Sequence, residues 1–442
     1  MDASAQFKGK KITVMGLGLL GRGVGDVKYL ASCGAELIVT DLKSADELKP
    51  SLEELKDFPA IIYVLGEHRF EDFRGRDMVI KAAGVPLDSP YIVEARKSNT
   101  PVKMSASLFA EIAQVPVIGV TGTRGKSTTT HMLNAILTHT GKNVLLGGNV
   151  QGVSTLALLS QVTPEHIALF ELDSWQLQGF GDSQLSPQLA VFTTLYPDHL
   201  NYYGGDLDAY LADKANIFLY QKPEDTLVLG AQCVQLIKAQ YGERMHAQLV
   251  IGDTNDLPKD WQLMIPGEHN RYDAALALLA ARAFGISDDV SKEALESFKG
   301  VAGRLELIRT IDGVAIYNDT TATTPEATLA ALAALGEAYG GRIVLIMGGA
   351  DKGLDMNELV KEIPHYVKHI TFLNGTGTER VRQVFPDTQV FDTLEQGYAD
   401  ARANVGPGDA ILFSPAFASF GMFKNEYDRG EEFVKIITSH EA

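Results

Sequence analysis

The stretch PVIGVTGTRGKSTTT, at residues 116–130, constrains the fold of this chain more than any other feature. An apolar run that predicts a buried strand enters a glycine-rich turn, and a helical pattern begins at Lys126 and Ser127. This order is typical of a phosphate-binding loop, in which glycines turn backbone N–H groups toward an anion, the lysine reaches the β- and γ-phosphates, and the serine binds Mg²⁺. Val120 stands where the usual pattern has its first glycine, so a chance Gly-Lys-Ser is the alternative. The strand, glycines and helix together favour an ATP site.

The composition limits the classes of protein that remain. At 442 residues the chain has the length of about three domains. A formal charge of −17 without a basic stretch argues against a nucleic-acid partner. Cys33 and Cys233 lie far apart, which fits a reducing cytosol and predicts neither disulfides nor a zinc site. No segment has the ~18 uninterrupted apolar residues of a membrane helix, and we expect a cytoplasmic monomer with no membrane association.

The beginning of the chain carries a dinucleotide-type fingerprint. A strand pattern ends in GLGLLG at residues 16–21, a helix follows to about Ser32, and the next strand ends at Asp41. An acid about 20 residues after the last glycine is typical of NAD binding. The same βαβ unit would equally hold a sugar nucleotide, since the pattern indicates only a site for a phosphate and a ribose.

Two strands after the glycine-rich loop end in candidate metal ligands. Glu171 closes the run IALFE, and Asp198 and His199 follow the run QLAVFTTL. Ligands of open parallel sheets bind beyond the carboxyl ends of the strands, so we expect these side chains near Lys126 and Ser127. Hard oxygen ligands suit Mg²⁺, and an imidazole would complete a second metal site. For each residue taken singly, a solvated loop position is the alternative.

Lys214 lies inside the apolar stripe of a predicted helix, among Tyr210, Leu211, Ile217 and Phe218. Either the side chain reaches water along its stem, or it is buried with altered chemistry, because desolvation favours the uncharged amine.

The last part of the chain, beyond about Gly300, alternates strands and helices again. Its predicted strands end in polar groups: Asp319, Lys352, Ser414 and Ser419. Glycine-rich strand ends with a lysine suggest anion binding.

The motifs TGTRGKSTT, ELDSWQLQ, YPDHLNYYG, ADKANIF, GEHN, GRLE, YNDTTAT, GGADKG and SPAFASFGMFKN occur in the order and spacing of the Mur ligases. The sequence resembles that family over nearly its whole length. The resemblance implies an α/β protein of three domains: an N-terminal Rossmann-like domain for UDP (1–104), a central P-loop ATPase-like domain with a mostly parallel sheet (105–300), and a C-terminal Rossmann-like domain for the amino acid (301–442).

The resemblance also implies roles for individual residues. The implied catalytic residues are Lys126, Glu171, His199 and Lys214. The implied ligands of two Mg²⁺ ions are Ser127, Glu171, His199 and Lys214, the last as a carbamate. The implied ATP contacts are Gly122, Thr123, Gly125, Lys126, Ser127, Thr128, Asn270, Arg304 and Asp319. The implied UDP-sugar contacts are Gly18, Leu19, Leu20, Asp41, Lys43, Gly84, Asn149 and Gln176. The implied amino-acid contacts are Thr323, Lys352, Ser414 and Ser419.

The implied reaction joins glutamate to UDP-N-acetylmuramoyl-L-alanine through an acyl phosphate. Three residues depart from the family pattern: Arg124, Thr321 and Glu426. The last two fall on the amino-acid side, so both D- and L-glutamate remain candidates. Lys424 or Arg429 would have to neutralise Glu426 if it lay close to a ligand carboxylate.

Other classes of protein remain as alternatives. An NAD oxidoreductase would rest on GLGLLG alone and would leave the second loop unexplained. A non-catalytic nucleotide-binding subunit is disfavoured because the catalytic residues are present. A folylpolyglutamate-type ligase would not need a leading Rossmann domain.

Overall fold

The computed structural model describes residues 3–19, 21–150, 152–196, 198 and 200–440 and arranges their strands in three sheets. The strands of the first sheet are β1 (Lys11–Met15), β2 (Glu36–Asp41), β3 (Ile62–Leu65), β4 (Met78–Lys81) and β5 (Val102–Lys103). They are parallel in the order β3-β2-β1-β4-β5. The accompanying helices are α1 (Arg22–Ser32), α2 (Lys49–Glu53) and α3 (Pro90–Lys97), with short 3-10 helices at Ala3–Gln6 and Phe70–Phe73.

The fingerprint glycines bring α1 close to the loop that precedes it. Gly21 has a φ of 79°, in the left-handed region that favours glycine, and α1 begins at the next residue. A Cβ at Gly23 would lie 2.3 Å from the carbonyl oxygen of Leu17. The helix therefore packs against the loop as the Rossmann-type pattern predicts.

The second sheet is fully parallel. Its strands are β6 (Val117–Thr121), β7 (Asn143–Gly148), β8 (His166–Glu171), β9 (Leu189–Phe192), β10 (Thr226–Gly230) and β11 (Gln248–Gly252), in the order β11-β10-β9-β6-β8-β7. Every residue of β6 and β9 is buried, which explains their continuous apolar runs.

Helices and short 3-10 segments surround this sheet. The helices are α4 (Ser105–Ile112), α5 (Lys126–His139), α6 (Ser174–Asp182), α7 (Leu200–Tyr203), α8 (Leu207–Ala215), α9 (Val234–Tyr241), α10 (Glu268–Ala283) and α11 (Asp288–Glu296). The 3-10 helices are Leu156–Gln161, Ala231–Cys233, Gly242–Arg244 and Thr254–Asp256. Asp173 and Gln176 form a capping box at the N-terminus of α6, so the ELDSWQ motif places the start of a helix directly after β8.

The third sheet is parallel except at one edge. Its strands are β12 (Glu306–Ile311), β13 (Val314–Asn318), β14 (Ile343–Gly348), β15 (Val367–Leu373), β16 (Val390–Phe391) and β17 (Ala410–Phe413), in the order β12-β13-β17-β14-β15-β16, with β12 antiparallel to β13. Its helices are α12 (Pro325–Tyr339), α13 (Asn357–Tyr366), α14 (Thr378–Arg382), α15 (Leu394–Ala403) and α16 (Glu426–His440). Apolar clusters cover both faces of the sheet.

The chain divides into two compact units. One comprises Met1–Lys259 and Tyr272–Leu295, and the other Asp260–Arg271 and Glu296–Ala442. The first two sheets share the first unit and one continuous apolar core, while the third sheet belongs to the second unit. The predicted α/β class with three domains is confirmed, and the boundaries at residues 104 and 300 stay predictions. Within the described ranges, no helix combines the length and apolar character needed to span a bilayer.

Candidate active site

The glycine-rich loop runs from the end of β6 to the start of α5. Gly122 and Gly125 have φ values of 146° and 83°, which favour glycine at both positions. A Cβ at Gly122 would lie 2.0 Å from Thr193 Oγ1. Thr123 N donates to Thr194 O at 2.7 Å, so the segment after β9 holds the loop in place.

Two lysines meet at one carbonyl oxygen of this loop. Lys126 Nζ donates to Gly122 O at 3.1 Å and to Thr123 O at 3.0 Å. Lys214 Nζ donates to the same Gly122 O at 2.8 Å. Two ammonium groups on one oxygen repel each other, so the geometry favours the neutral form of the more buried amine.

Lys214 is that amine. Its side chain is buried, with Nζ 3.4 Å from Thr121 Oγ1 and 4.8 Å from the ring centroid of Tyr210. Burial lowers the pKa of Lys214 well below its usual value, and Lys126 lowers it further. Of the two sequence interpretations, the structure therefore shows the buried lysine and not the one that reaches water.

Glu171 lies beside the loop because β8 pairs with β6. Val120 and Glu171 are register partners, so the carboxylate stands at the carboxyl edge of the sheet next to the loop. Glu171 is buried, and its Oε1 accepts a hydrogen bond from Asn149 Nδ2 at 3.2 Å. The buried carboxylate at this strand end and the buried Ser127 in the first turn of α5 are oxygen donors of the kind that fits a hard cation.

His199 lies outside the described residues, and so does Leu20. Asp198 is exposed. Among the described residues, no group of three or more His, Cys, Asp and Glu side chains is arranged to hold a metal ion. The two-metal arrangement therefore stays a prediction that would need phosphate oxygens and the Lys214 carbamate as further ligands.

A cavity of about 580 Å³ opens between the fingerprint loop and the second sheet. Six residues predicted for the UDP-sugar line it: Gly18, Leu19, Asp41, Lys43, Gly84 and Gln176. The carboxylate of Asp41 accepts from Gly18 N at 3.0 Å and from Lys43 N at 2.9 Å, so it ties the two loops of the rim together. Asn149 does not line the cavity, since its side chain contacts Arg22 and Glu171.

Four ionisable residues of the cavity wall are not among those predicted from the sequence: Arg22, Asp26, His68 and Lys81. Lys81 ends β4, at a strand-end position like that of Glu171 in β8. Its side chain is buried and donates to Val85 O at 2.9 Å, and burial lowers its pKa to about 8. Burial also lowers the pKa of His68, which favours a neutral imidazole in the cavity wall.

Asp273 is a further residue of the site that no sequence motif indicates. It lies on α10 and is buried against the glycine-rich loop, where a Cβ at Gly125 would lie 2.3 Å from its Oδ1. The loop thus requires glycine at this position for space as well as for φ.

Asp26 connects helix α1, beside the first sheet, to two serines of the segments that surround the second sheet. It lies on α1, is 7% exposed, and accepts hydrogen bonds from Ser105 Oγ and, at 2.6 Å, from Ser154 Oγ. Burial raises its pKa from 3.8 to about 6, although both serines act in the opposite direction.

We expect the stability of the protein relative to Asp26→Asn to fall as the pH rises from about 4 to about 6. In that window the unfolded chain has released a proton that the folded chain still holds, so a higher pH favours unfolding; the shift corresponds to roughly 3 kcal/mol. Melting temperatures of both proteins across this range measure the difference, with the exposed Asp57→Asn as control. A difference that does not change with pH would contradict the buried ionisable carboxyl.

The second compact unit carries the remaining predicted residues. Asp319 closes off β13, and its carboxylate accepts from Leu305 N at 3.0 Å and from Ser414 Oγ at 2.7 Å. Burial raises the pKa of Asp319 to about 7. Ser414 is fully buried, and its hydroxyl is also 2.9 Å from Thr328 Oγ1, so a direct contact of Ser414 with an amino acid would require this group of side chains to rearrange.

Other residues predicted for this unit differ in exposure. Lys352 is exposed, and its Nζ donates to Thr323 Oγ1 at 2.8 Å. Ser419 is buried, and Arg304 is exposed. Asn270 is buried and donates to Pro266 O at 2.6 Å.

The two departures on the amino-acid side have local partners. Thr321 Oγ1 donates to Gly303 O at 2.9 Å. Glu426 begins α16, and its backbone oxygen accepts from Thr320 Oγ1 at 2.9 Å. Arg429 is buried and donates to Thr320 O at 2.7 Å and Phe417 O at 3.2 Å. Its hydrogen bonds thus go to neutral oxygens, and burial lowers its pKa to about 10 while Glu426 acts in the opposite direction.

Known proteins resemble the whole chain. Family models match at residues 10–103 (Mur ligase MurD-like, N-terminal domain), 120–259 (Mur ligase middle domain) and 303–417 (Mur ligase, glutamate ligase domain). A UDP-N-acetylmuramoylalanine--D-glutamate ligase of Roseiflexus sp. is 38% identical, with 98% of this chain and 99% of the relative covered. The enzyme of the same name from Borreliella burgdorferi strain ZS7 is 32% identical over the same shares.

Solved structures share the fold. The UDP-N-acetylmuramate-alanine ligase of Thermotoga maritima has a TM-score of 0.62 at 20% identity and covers 98% of this chain and 100% of its own. A MurF ligase of the same organism, in complex with ADP, has a TM-score of 0.60 at 18% identity, with 99% and 97% covered. The NAD oxidoreductase alternative is set aside, because matches to ligases extend over all three domains. The chain belongs to the Mur ligase family, in the branch whose members carry the name UDP-N-acetylmuramoylalanine--D-glutamate ligase.

Proposed function

We propose that this chain is an ATP-dependent ligase that joins D-glutamate to UDP-N-acetylmuramoyl-L-alanine in peptidoglycan precursor synthesis, releasing ADP and phosphate. The observation that carries the proposal is the pairing of a glycine-rich phosphate loop with a large cavity behind a Rossmann fingerprint in one compact unit. The full-length relatives of the same name support the choice of substrates.

The proposed reaction has two steps. The terminal carboxylate of the UDP-sugar substrate attacks the γ-phosphate of ATP and gives an acyl phosphate, and the amine of glutamate then displaces phosphate. Lys126 offsets the negative charge that spreads over the transferring group, because its ammonium lies within the loop that would hold the phosphates. Magnesium would supply further positive charge at the phosphate oxygens.

Ser127, Glu171, His199 and carbamylated Lys214 are the proposed ligands of two Mg²⁺ ions. The low pKa of Lys214 supports carbamylation, because CO₂ adds to the neutral amine and leaves an anionic oxygen ligand after loss of a proton. Burial beside Gly122 would protect that carbamate from water.

The amino acid is proposed to bind in the second compact unit. Lys352 and Thr323, which are hydrogen-bonded to each other, would contact one carboxylate of glutamate, and Ser419 would contribute a hydroxyl. Ser414 would act through Asp319, to which it donates, and not by direct contact. L-glutamate is the second candidate, since Glu426 adds a carboxylate at the start of α16.

We expect product formation with D-glutamate to exceed that with L-glutamate, aspartate and lysine, measured as kcat/KM with UDP-N-acetylmuramoyl-L-alanine and ATP. Glu426→Phe should change the ratio between the two enantiomers of glutamate if Glu426 meets the α-ammonium of the amino acid. A wild-type preference for L-glutamate would overturn the D assignment and keep the ligase. A preference for lysine would contradict the anionic-ligand pocket.

A further inference from the structure

Asn149 lies between the cavity and Glu171, and its side-chain amide contacts a charged group on each side. Its Oδ1 accepts from Arg22 Nη1 at 2.7 Å, and its Nδ2 donates to Glu171 Oε1 at 3.2 Å. A backbone hydrogen bond from Asn149 N to Glu171 O, of 2.7 Å, holds the two residues side by side. One amide thus joins a residue of the cavity wall to the carboxylate at the end of β8.

These two neighbours allow the amide only one orientation. A guanidinium can only donate hydrogen bonds, and an ionised carboxylate can only accept them. The amide oxygen must therefore face Arg22, and the amide nitrogen must face Glu171. Without Arg22 the amide loses the hydrogen bond at its oxygen, so its bond to the carboxylate is the one side-chain bond left to hold it in place.

We propose that Arg22 is a positioning residue that orients Glu171 for metal binding through the amide of Asn149. Arg22 is the first residue of α1 and belongs to the layer of the first sheet, whereas Asn149 and Glu171 belong to the second. Among the described residues, the Asn149 amide is the hydrogen-bond donor to the Glu171 carboxylate. Partners behind a metal ligand commonly change metal affinity about 10- to 100-fold when removed.

The inference rests on the proposed function, which places a metal at Glu171, and the experiment separates the two. The probe is Mn²⁺ in the presence of ADP, and its affinity for the full chain is measured by electron paramagnetic resonance of the free ion. The variants are Arg22→Met, Arg22→Lys, Asn149→Ala, the double variant Arg22→Met with Asn149→Ala, and Glu171→Gln. Lys28→Met removes a cation from the exposed face of the same helix and is the matched control.

We expect Arg22→Met and Asn149→Ala each to weaken Mn²⁺ binding about tenfold. The double variant should be no weaker than Asn149→Ala alone, because both changes break one path. Arg22→Lys should bind Mn²⁺ more tightly than Arg22→Met does. Lys28→Met should bind Mn²⁺ as the wild type does. The affinity for ADP, measured in EDTA, should be unchanged in these variants. If Arg22→Met lowers the melting temperature, the Mn²⁺ affinities of Arg22→Lys and Asn149→Ala are compared with that of the wild type in its place.

Three results would overturn the inference, and they show whether the proposed metal site fails with it. If Glu171→Gln binds Mn²⁺ as the wild type does, the metal is not at Glu171 and the proposed metal site fails as well. If Glu171→Gln loses Mn²⁺ while Arg22→Met keeps it, or if the effects of Arg22→Met and Asn149→Ala add, the metal site stands and Arg22 does not position it. Titration with UDP-N-acetylmuramoyl-L-alanine in EDTA then shows whether Arg22 only contacts the ligand of the cavity.

Discussion

Lys126→Ala is expected to lower kcat by at least about 10²-fold and to leave the fold intact. Lys126 Nζ lies over the carbonyl oxygens of Gly122 and Thr123, so it is the cation of the loop that would stand between the β- and γ-phosphates. Its loss removes positive charge where negative charge develops during phosphoryl transfer. Phosphate release in the presence of all substrates measures the effect.

The control for this change is Lys238→Ala, which removes a lysine from an exposed position on α9. That variant should turn over as the wild type does, and both variants should have the wild-type melting temperature. Turnover of Lys126→Ala at the wild-type rate, in protein free of contaminating ATPase, would refute the assignment of the loop to ATP.

Lys214→Ala is expected to be nearly inactive and to regain part of its activity when formate or acetate is added. The change removes a buried amine beside Gly122 O and leaves space in which a small carboxylate can supply the missing oxygen ligand. The dependence of phosphate release on formate concentration, at constant ionic strength, measures the recovery.

Lys126→Ala is the matched control for the recovery, because it lacks a cation that formate cannot replace. Formate should therefore leave it inactive. An equal response of both variants, or a Lys214→Ala variant that is active without any addition, would count against a carbamate at Lys214.

The sequence predicts the fold well because the central strands of the sheets, such as β6, β8 and β14, are apolar runs that end in glycine or polar residues. The rule for strand ends in parallel sheets predicts that Glu171 lies at the same sheet edge as the glycine-rich loop, and the pairing of β6 with β8 makes the two neighbours. The burial of Lys214 was one of two interpretations of an apolar stripe, and helical spacing alone could not decide between them.

Other parts of the site depend on contacts that no local pattern encodes. The hydrogen bond between Arg22 and Asn149 joins residues that are distant in sequence, and it becomes visible only when the first two sheets pack together. The burial of Ser414 against Asp319 likewise depends on a contact between residues that are distant in sequence. A serine at a strand end can face either a ligand or the core, and the local pattern does not distinguish the two. Lys81 differs from these residues, because it ends β4 and its position follows from the local strand pattern.

The path of one oxygen atom through the reaction tests whether the two sites of the first unit cooperate in an acyl-phosphate ligation. UDP-N-acetylmuramoyl-L-alanine that carries heavy oxygen in its terminal carboxylate is incubated with ATP and D-glutamate. The masses of the released phosphate and of the product are then measured by mass spectrometry. An acyl-phosphate intermediate places one heavy oxygen in the phosphate for each glutamyl product, because the attacking carboxylate oxygen leaves with the phosphoryl group. Product formed with unlabelled phosphate would contradict it, and so would release of phosphate from ATP without any glutamyl product.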